Sequence, residues 1–552
     1  MAIRLCSPYL LSLLKVALLI LLIENSKGYA QPSHFSQESA SGKTCMVATA
    51  HPLATQVGLD ILRQGGNAVD AAVAVAFALG VVEPYASGIG GGGFMLIYSA
   101  SKGDMAAIDF REAAPLKTPK EKKTQRLRSG PFSIAVPGMP AGLSKALYDH
   151  GTMDLKKVLE PAITLAEKGF IVNQVLLNLI EMHRNKLSKY PGLKKLFLNP
   201  RYKTGDLIRQ PELARSYRLI AEKGTDVFYK GWLAGEIERE VRRLGGSLNR
   251  EDLARYQPIA RKPINGTYRG FEVYGLPPGS GGIFVLELLN IMEGYGPESA
   301  AHNSDEFIQF MAEAMRRVFR DKARYTADAD FPDIPAETFT SKRYAEELRK
   351  EIKTGKLNRI SMPDPAGYES DQTTHISVAD GQGNLVSLTQ TLNSFFGSGI
   401  VVPGTGILLN NEMSDFDSEG LNRPGPGKRP ISNIAPIIVL KEGKPFMSLG
   451  MAGASRIISG IPQILVNIID SGMSIQQAIT APRFYCSSKK IDLEGRIGVK
   501  TRDVLSSMGY EIKVRKDFDL FFGGAQGVMI DPKTGIRYGG ADPRRGGAAE
   551  GF

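Results

Sequence analysis

Cysteine and histidine are scarce in this chain, and their scarcity excludes two kinds of protein. The 552 residues contain three cysteines and six histidines. Cys6 lies in the leading segment described below, which leaves Cys45 and Cys486, too few for a disulfide-rich scaffold. The sequence leaves open whether these two pair or stay buried. No HExxH or CxxC motif is present, so we expect neither a metal site nor a cofactor that depends on one.

Charge of one sign is not concentrated on any long segment. The formal net charge is +11, but the basic residues are scattered, with dense patches only near residues 117–128 and 184–203. We interpret these patches as solvated helix faces, and we therefore expect no nucleic-acid partner. A content of 43% hydrophobic and 23% charged residues is typical of a globular protein with ample material for a core.

A long uninterrupted apolar run is missing as well. The Leu-rich stretch 9–23 contains Lys15 and is shorter than the ~20 residues that a membrane-spanning helix needs. A basic residue precedes it and the small-residue site 28–30 follows, which predicts that residues 1–30 are an export signal cleaved before Gln31. We expect a periplasmic or extracellular protein without a stable membrane anchor; a retained anchor is the alternative.

Beyond the leading segment, local patterns predict strands and helices in alternation. Met46 to Ala50 is strand-like, whereas Pro52 to Arg63 and Ala68 to Val81 have helical character, and the second helix is so apolar that it must be buried. Residues 88–93 formally match the GxGxxG pattern of dinucleotide sites. They follow a helix and precede the strand-like run 94–98, which is the reverse of that motif's order. We expect close backbone packing there instead.

The middle of the chain is mostly helical from Asp154 to about Lys353, apart from a strand-like stretch from Gly266 to Leu276. Residues 354–372 then lack periodicity and are rich in Gly, Pro, Asp and Ser, which predicts an exposed tether.

Strand-like alternation follows the tether in residues 374–379 and 385–393, which predicts a β-hairpin. Thr389, Thr391 and Asn393 share one face of it, because side chains alternate along a strand. Taken alone, such a polar row is best interpreted as a solvent-facing surface.

Three later segments carry further polar or small groups. They contain, in order, Glu412 with Asp415 after the predicted strand Gly406 to Asn411, Ser432 with Asn433, and Gly453 with Ala454. The two acids could clamp an ammonium, the second pair supplies hydroxyl and amide donors, and the small residues leave backbone N–H groups accessible to an oxyanion. Each pair alone is equally consistent with an ordinary turn or cap.

Several long motifs occur in one order along the chain. They are Met46 to Thr49 with His51 to Ala54, Gly65 to Val75, Gly90 to Leu96, Asp109 to Glu112, Asp371 to His375, Leu392-Asn393 before Phe396 to Gly399, Gly406 to Met413, Lys428 to Pro430, Ala481 to Phe484 and Asp542 to Arg544. In these motifs the chain resembles the γ-glutamyltransferase (glutathione hydrolase) family over nearly its whole length.

The resemblance implies an α+β fold, the four-layer αββα sandwich of N-terminal-nucleophile hydrolases. It also implies self-cleavage between Gln372 and Thr373, giving a large chain of residues 31–372 and a small catalytic chain of residues 373–552 within one interleaved domain. Thr373 would then be the nucleophile, and its free α-amino group, with a pKa near ~8, the general base.

The resemblance also assigns the other site residues. It implies that Thr391 orients Thr373, that Asn393, Glu412 and Asp415 hold the substrate α-amino group, that Arg111 and Ser432 hold the α-carboxylate, and that Gly453 and Ala454 form the oxyanion hole. The implied activity is cleavage of γ-glutamyl amides, glutathione included, through a γ-glutamyl-Thr intermediate that passes to water or to an amino acid or peptide.

Two positions depart from the family pattern, and one segment is short. Asn433 replaces a serine, which moves a donor beside the carboxylate clamp, and Ala454 replaces a glycine, which would be strained at positive φ. Residues 416–427 are too few for a long lid over the site. We expect a more open pocket that admits bulky or polymeric γ-glutamyl compounds.

Alternatives remain from the sequence alone. Ser99-Ala100-Ser101-Lys102 and Ser487-Ser488-Lys489-Lys490 match the SxxK motif, but no Ser-Asp-Asn element or GxSxG elbow accompanies them. Nearer alternatives are an acylase on glutaryl or cephalosporin side chains, a transpeptidase on poly-γ-glutamate, and a non-catalytic secreted binding protein that kept the fold.

Overall fold

The computed structural model of the chain describes residues 39–118, 127–296, 301–325, 336–360, 372–417 and 419–552. The predicted export signal and residues 361–371 of the predicted tether lie outside the described residues. Within the described ranges, two seven-stranded antiparallel sheets form the centre of the molecule.

The strands of each sheet come from distant parts of the chain. The first sheet contains, in spatial order, β1 (Ala40–Gly42), β20 (Arg537–Ala541), β19 (Gly524–Ile530), β15 (Lys444–Ala452), β14 (Ile437–Lys441), β9 (Phe271–Gly275) and β8 (Ile264–Tyr268). The second contains β21 (Ala548–Gly551), β2 (Met46–Thr49), β10 (Thr374–Ala379), β11 (Leu385–Thr391), β3 (Gly92–Ser99), β4 (Asp104–Phe110) and β7 (Ile259–Arg261). Smaller sheets are formed by β5 (Phe170–Ile171) with β6 (Leu207–Ile208), by β12 (Val401–Val402) with β13 (Ile407–Leu408), and by β16 (Phe484–Cys486), β17 (Lys490–Leu493) and β18 (Glu511–Val514).

Helices cover the outer faces of both large sheets. They are α1 (Pro52–Arg63), α2 (Ala68–Val82), α3 (Met139–His150), α4 (Leu155–Lys168), α5 (Gln174–Met182), α6 (Arg184–Lys189), α7 (Pro191–Leu193), α8 (Pro211–Lys223), α9 (Asp226–Tyr229), α10 (Trp232–Arg243), α11 (Arg250–Arg255), α12 (Gly282–Glu293), α13 (Asp305–Tyr325), α14 (Ala336–Phe339), α15 (Lys342–Lys350), α16 (Arg456–Ile469), α17 (Ile475–Thr480) and α18 (Val499–Ser507). A π-helical turn spans Lys194–Leu198, and 3₁₀ turns span Pro131–Ser133, Glu412–Asp415, Leu520–Phe522 and Pro543–Arg545.

The two sheets stack face to face through polar as well as apolar contacts. The Ser448 hydroxyl on β15 donates to the Ser377 hydroxyl on β10 at 2.9 Å, and Ser377 donates to the Gln526 carbonyl on β19 at 3.2 Å. Val47, Ile376 and other residues of the second sheet pack outward against α1, α2 and α3. The opposite face and the first sheet share a core with α12, α13 and α16. This is the predicted αββα sandwich, and the fold prediction is confirmed.

Helix α2 is placed by its own end signals. Asn67 accepts hydrogen bonds from the backbone N–H groups of Val69 and Asp70, and Asp70 accepts one from Asn67 in return, a complete capping box. Every residue of the helix is buried, as its apolar composition predicts. Its C-terminal end delivers Glu83 and Tyr85 to the edge of β10, where the candidate site lies.

The glycine run 88–93 packs tightly against neighbouring backbone, as predicted. A Cβ at Gly90 would lie 2.1 Å from the Leu408 carbonyl oxygen, and one at Gly91 would lie 2.0 Å from that of Thr391. Only glycine permits this approach, which brings β3 and the segment after β13 together.

Two strand predictions need correction. The stretch Gly266 to Leu276 is a hairpin of β8 and β9 rather than one strand, because Arg269 and Gly270 both have positive φ, at 50° and 81°, and turn the chain. The predicted strand Gly406 to Asn411 shortens to β13, because Asn410 and Asn411 use their side chains to bond loops instead of continuing a ladder.

Candidate functional site

Two threonine hydroxyls converge on the carbonyl group of Gln372. The Thr373 Oγ1 donates to the Gln372 oxygen at 2.5 Å, and the Thr391 Oγ1 donates to the same oxygen at 2.6 Å. The backbone N–H of Asn393 donates to Thr391 Oγ1 at 2.8 Å, which fixes that hydroxyl. The group is buried, with Thr373 5% exposed. The structure therefore places the hydroxyls of Thr373 and Thr391 on the carbonyl oxygen of the predicted cleavage site.

The polar face of β11 is buried, so its solvent-facing interpretation is wrong. Thr389, Thr391 and Asn393 are at most 2% exposed. Thr389 bonds His375 Nδ1 at 2.7 Å, and the His375 Nε2 bonds Ser377 at 3.0 Å. Sequence alternation put Thr389 and Thr391 on one face of β11, but only the stacking of the first sheet on the second shows that this face is interior.

Glu83 and Arg545 hold the residues next to Thr373, and the sequence did not single them out. The Thr374 hydroxyl donates to Glu83 Oε2 at 2.6 Å, and the Tyr85 hydroxyl donates to Glu83 Oε1 at 2.7 Å. Arg545 Nη1 donates to Gln372 Oε1 at 3.1 Å and to the Thr373 carbonyl at 3.3 Å. Burial raises the pKa of Glu83. A lone acid closing a buried apolar helix was the available signal for Glu83.

The predicted ammonium clamp and the predicted carboxylate clamp are in direct contact. Arg111 Nη2 lies 2.5 Å from Glu412 Oε1 and 2.8 Å from Asp415 Oδ2, and it donates to the Ile431 carbonyl at 3.2 Å. Asn393 Nδ2 donates to Asp415 Oδ1 at 2.8 Å. The Asp415 side chain is 20% exposed and the side chains of Arg111 and Glu412 are almost fully buried, so the cluster reaches solvent on the Asp415 side.

Glu112 adds a third carboxyl to this cluster. Its Oε2 lies 3.5 Å from Arg111 Nη1, and a Cβ on Gly92 would lie 2.6 Å from the same oxygen. Gly92 pairs with Thr391 across the sheet, so the Glu112 carboxyl lies on the side of the sheet that carries Thr391. Burial raises the pKa of Glu112 to about 7, although the Arg111 charge opposes the shift. Burial likewise raises the pKa of Glu412.

Ser432 and Asn433 directly follow the carbonyl that Arg111 contacts. The backbone N–H of Ser432 donates to the Gly279 carbonyl at 2.9 Å, and its hydroxyl accepts from Ile434 N–H at 3.1 Å, which leaves the hydroxyl proton to donate elsewhere. Asn433 Oδ1 is buried without a hydrogen-bond partner among the described residues.

Gly453 and Ala454, the predicted oxyanion donors, both have positive φ. Their φ angles are 135° and 52°, and in the described part of the chain neither amide N–H has an acceptor. Ser448 faces Ser377, and Gly450 packs on the His375 ring. Two residues along β15 therefore correspond to two residues back along β10, so the end of β15 lies near Thr373. Ala454 thus has the positive φ at which we expected an alanine in place of the family's glycine to be strained.

The described residues hold no group of three or more His, Cys, Asp or Glu that could bind a metal ion. Cys45 and Cys486 are both buried and unpaired with each other. Among these same residues no helix is long and apolar enough to cross a bilayer.

Comparisons with known proteins agree on one family. The family model described as Gamma-glutamyltranspeptidase matches residues 54–552. The glutathione hydrolase proenzyme of Escherichia coli (strain K12) is 42% identical over 91% of this chain and 90% of its own length, and that of Bacillus subtilis (strain 168) is 38% identical over 93% and 92%. The crystal structure of cephalosporin acylase from Bacillus halodurans has a TM-score of 0.88 at 32% identity, covering 95% of this chain and 98% of that one.

Proposed function

The chain belongs to the gamma-glutamyltranspeptidase family, and from this we propose that it matures by cutting its own backbone between Gln372 and Thr373. It is an N-terminal-threonine hydrolase that cleaves γ-glutamyl amide bonds, those of glutathione included, and passes the γ-glutamyl group to water or to amino acid and peptide acceptors. The observation that carries the proposed cut is the convergence of the Thr373 and Thr391 hydroxyls on the Gln372 carbonyl.

Maturation begins with attack of Thr373 Oγ1 on the carbonyl carbon of Gln372. The negative charge that develops on the Gln372 oxygen is stabilised by the Thr391 hydroxyl, which already bonds it. The peptide C–N bond then breaks, the nitrogen takes the hydroxyl proton, and an ester joins Gln372 to the Thr373 side chain. Water hydrolyses that ester, which releases the Gln372 carboxylate and the Thr373 hydroxyl; the Thr373 amine was already freed when the C–N bond broke.

The mature enzyme uses the new amine as its general base. With a pKa near ~8, the amine accepts the Thr373 hydroxyl proton while the oxygen attacks the substrate γ-carbonyl. The N–H groups of Gly453 and Ala454 bind the resulting oxyanion. The leaving amine takes the proton, and water or an acceptor amine then attacks the γ-glutamyl ester.

The charge cluster selects the zwitterionic head of the substrate. The α-carboxylate replaces Glu412 and Asp415 on Arg111, where Ser432 and Asn433 add donors, and the α-ammonium replaces Arg111 on the acids. Each buried charge then exchanges one partner of opposite sign for another. No buried charge is left unpaired, and an unpaired buried charge would be strongly destabilising.

The test is denaturing electrophoresis with N-terminal sequencing of the wild type and of Thr373→Ala. We expect a fragment beginning Thr373-Thr374-His375 from the wild type only, together with activity on a γ-glutamyl anilide. A wild-type chain that stays whole while folded would contradict the proposal, because Thr373 would then have no free amine.

An acylase acting on glutaryl or cephalosporin side chains is the second candidate, favoured by the fold shared with the Bacillus halodurans acylase. A glutaryl group lacks the ammonium that Glu412 and Asp415 are placed to hold. The ratio of kcat/KM for γ-glutamyl anilide to that for glutaryl anilide decides between the two, and we expect it to exceed about tenfold for the loss of one buried charge pair.

The chain is processed into two associated chains that act on small substrates. We propose in addition that it is exported after removal of residues 1–30. Sequencing of the large fragment from exported protein should begin at Gln31; a start at Met1 would contradict the signal peptide.

A further inference from the structure

The segment that follows Asp415 is short, and one side chain ties it to the charge cluster. Residues 416–417 and 419–427 contain no helix or strand, and Asn422 is 2% exposed inside this loop. Phe416 is fully buried and packs with Ala114, Leu127, Ala135 and Met413. Phe416 and Asn422 thus anchor the loop, while most of its other described residues are exposed.

The Asn422 amide bonds the backbone on both sides of the cluster. Its Nδ2 donates to the Asp415 carbonyl at 2.8 Å and to Asp417 Oδ2 at 3.0 Å. Its Oδ1 accepts from the Ile431 N–H at 3.2 Å. A primary amide has two donor hydrogens and one acceptor oxygen, so all of its hydrogen-bonding groups are used.

The two bonded backbone positions belong to opposite arms of the clamp. Asp415 presents its carboxylate to the substrate ammonium, whereas Ile431 precedes Ser432 and bonds Arg111 through its carbonyl. The distance between these arms must match the spacing of ammonium and carboxylate on one carbon atom. Asn422 spans them with a single planar group, so it sets that distance.

We propose that Asn422 is the positioning residue that couples the ammonium arm to the carboxylate arm and so gives this site its preference for α-amino acid head groups. This inference rests on the proposed function of the cluster. Asn422 touches no reacting atom; it acts through Asp415 and Ile431.

The test compares γ-glutamyl anilide with glutaryl anilide, which keeps the carboxylate and lacks the ammonium. Asn422→Asp keeps the shape and an acceptor for Ile431 N–H but loses both donors toward Asp415 and Asp417. We expect the γ-glutamyl over glutaryl preference in kcat/KM to fall about tenfold, mainly through KM, while kcat/KM for the glutaryl donor changes by less than about twofold. Glu419→Gln, an exposed change in the same loop, should leave both unchanged.

The outcomes separate this proposal from the function on which it rests. A wild type without any γ-glutamyl preference would refute the proposed head-group clamp itself. When the wild type has that preference, two results overturn the role of Asn422. One is an Asn422→Asp enzyme that keeps the preference, and the other is one whose kcat/KM falls equally for the γ-glutamyl and the glutaryl substrate. If Asn422→Asp fails to mature, Asn422→Leu is measured instead: it adds no charge and breaks both arms, and an unchanged preference in that variant overturns the role as well.

Discussion

At the scale of single residues, Ala454 is the clearest point of strain in the site. Its φ of 52° lies in the left-handed region, which an alanine Cβ disfavours and glycine does not. The Ala454 N–H has no acceptor in the described part of the chain. The strained backbone therefore lowers the stability of the folded protein at the place where a substrate oxyanion would be held.

Ala454→Gly should therefore stabilise the protein. Relief of the left-handed strain exceeds the entropy that glycine gains in the unfolded chain, and we expect an increase of about 0.5–1 kcal/mol in the free energy of unfolding. The measurement is urea unfolding of the uncleaved Thr373→Ala background, where one covalent chain unfolds. Ala452→Gly, at the end of β15, is the matched control and should destabilise; a loss of stability in both variants would contradict the strain.

At the scale of elements, the facing strands β10 and β15 bury a histidine between the sheets. His375 bonds Thr389 and Ser377, and its ring fills the space above Gly450. Burial lowers the pKa of His375 to about 3, because the charged imidazolium is disfavoured there.

This shift predicts a pH dependence of stability. Between pH 6.5 and about 3 the unfolded state binds a proton that the folded state does not, so the free energy of unfolding falls as the pH falls. His375→Gln can keep both hydrogen bonds but cannot titrate. Its stability, measured by urea unfolding in the Thr373→Ala background, should fall less steeply than that of the parent, by up to about 1.4 kcal/mol per pH unit. Equal slopes would show that His375 does not titrate differently in the two states.

The loop after β11 is bonded by the partly buried side chain of Lys186. Asn393, Phe396 and Gly397 have positive φ angles of 78°, 60° and 47°. Lys186 Nζ donates to the Phe395 carbonyl at 2.7 Å and to that of Gly397 at 2.5 Å, and burial lowers its pKa to about 8. Removing the Lys186 ammonium from water destabilises the folded state, whereas its two hydrogen bonds stabilise it, so the two contributions to the free energy of unfolding oppose each other.

Lys186→Met should consequently affect binding more than stability. We expect the free energy of unfolding to change by less than about 1 kcal/mol, because the two terms offset. The donor KM should rise about fivefold as Asn393 loses its support. Lys189→Met, at an exposed position of the same helix α6, serves as the control. A donor KM equal to that of the control would mean that the loop keeps its shape without Lys186.

At the scale of the whole molecule, the proposed cut lies inside an interleaved fold. Strand β10 pairs with β2 from Ile376 opposite Thr49 to Ala379 opposite Met46, and β11 pairs with β3 over seven residue pairs. Strands β2 and β3 precede the cut and β10 and β11 follow it, so the central sheet is built from both products.

The two chains should therefore stay together after cleavage. Size-exclusion chromatography of the matured protein without denaturant should give one species that contains both fragments, and urea should separate them. Elution of the small chain alone under native conditions would show that the central sheet does not survive the cut.

Local chemistry explains which features could be predicted. The capping box of α2, the glycine run at 88–93 and the β10–β11 hairpin depend on neighbours in sequence, and the structure matches all three. Glu83 and Arg545 could not be assigned this way, because each bonds residues far away in the chain. Glu112 and Asn422 could not be assigned either, because loop geometry rather than a helix or strand period sets their contacts. The burial of Thr389 could not be derived from its own strand, because the residues of the facing sheet are distant in the chain.

The sequence by itself determined the family, through its motifs, and the resemblance to that family implied the αββα class and the candidate site residues. Only the tertiary structure decided that Arg111 pairs with Glu412 and Asp415, that Glu112 joins them, and that Asn422 bridges the two arms. The physical reason is that buried charges and amides must find partners across the fold, and sequence spacing does not encode which distant groups will be nearest.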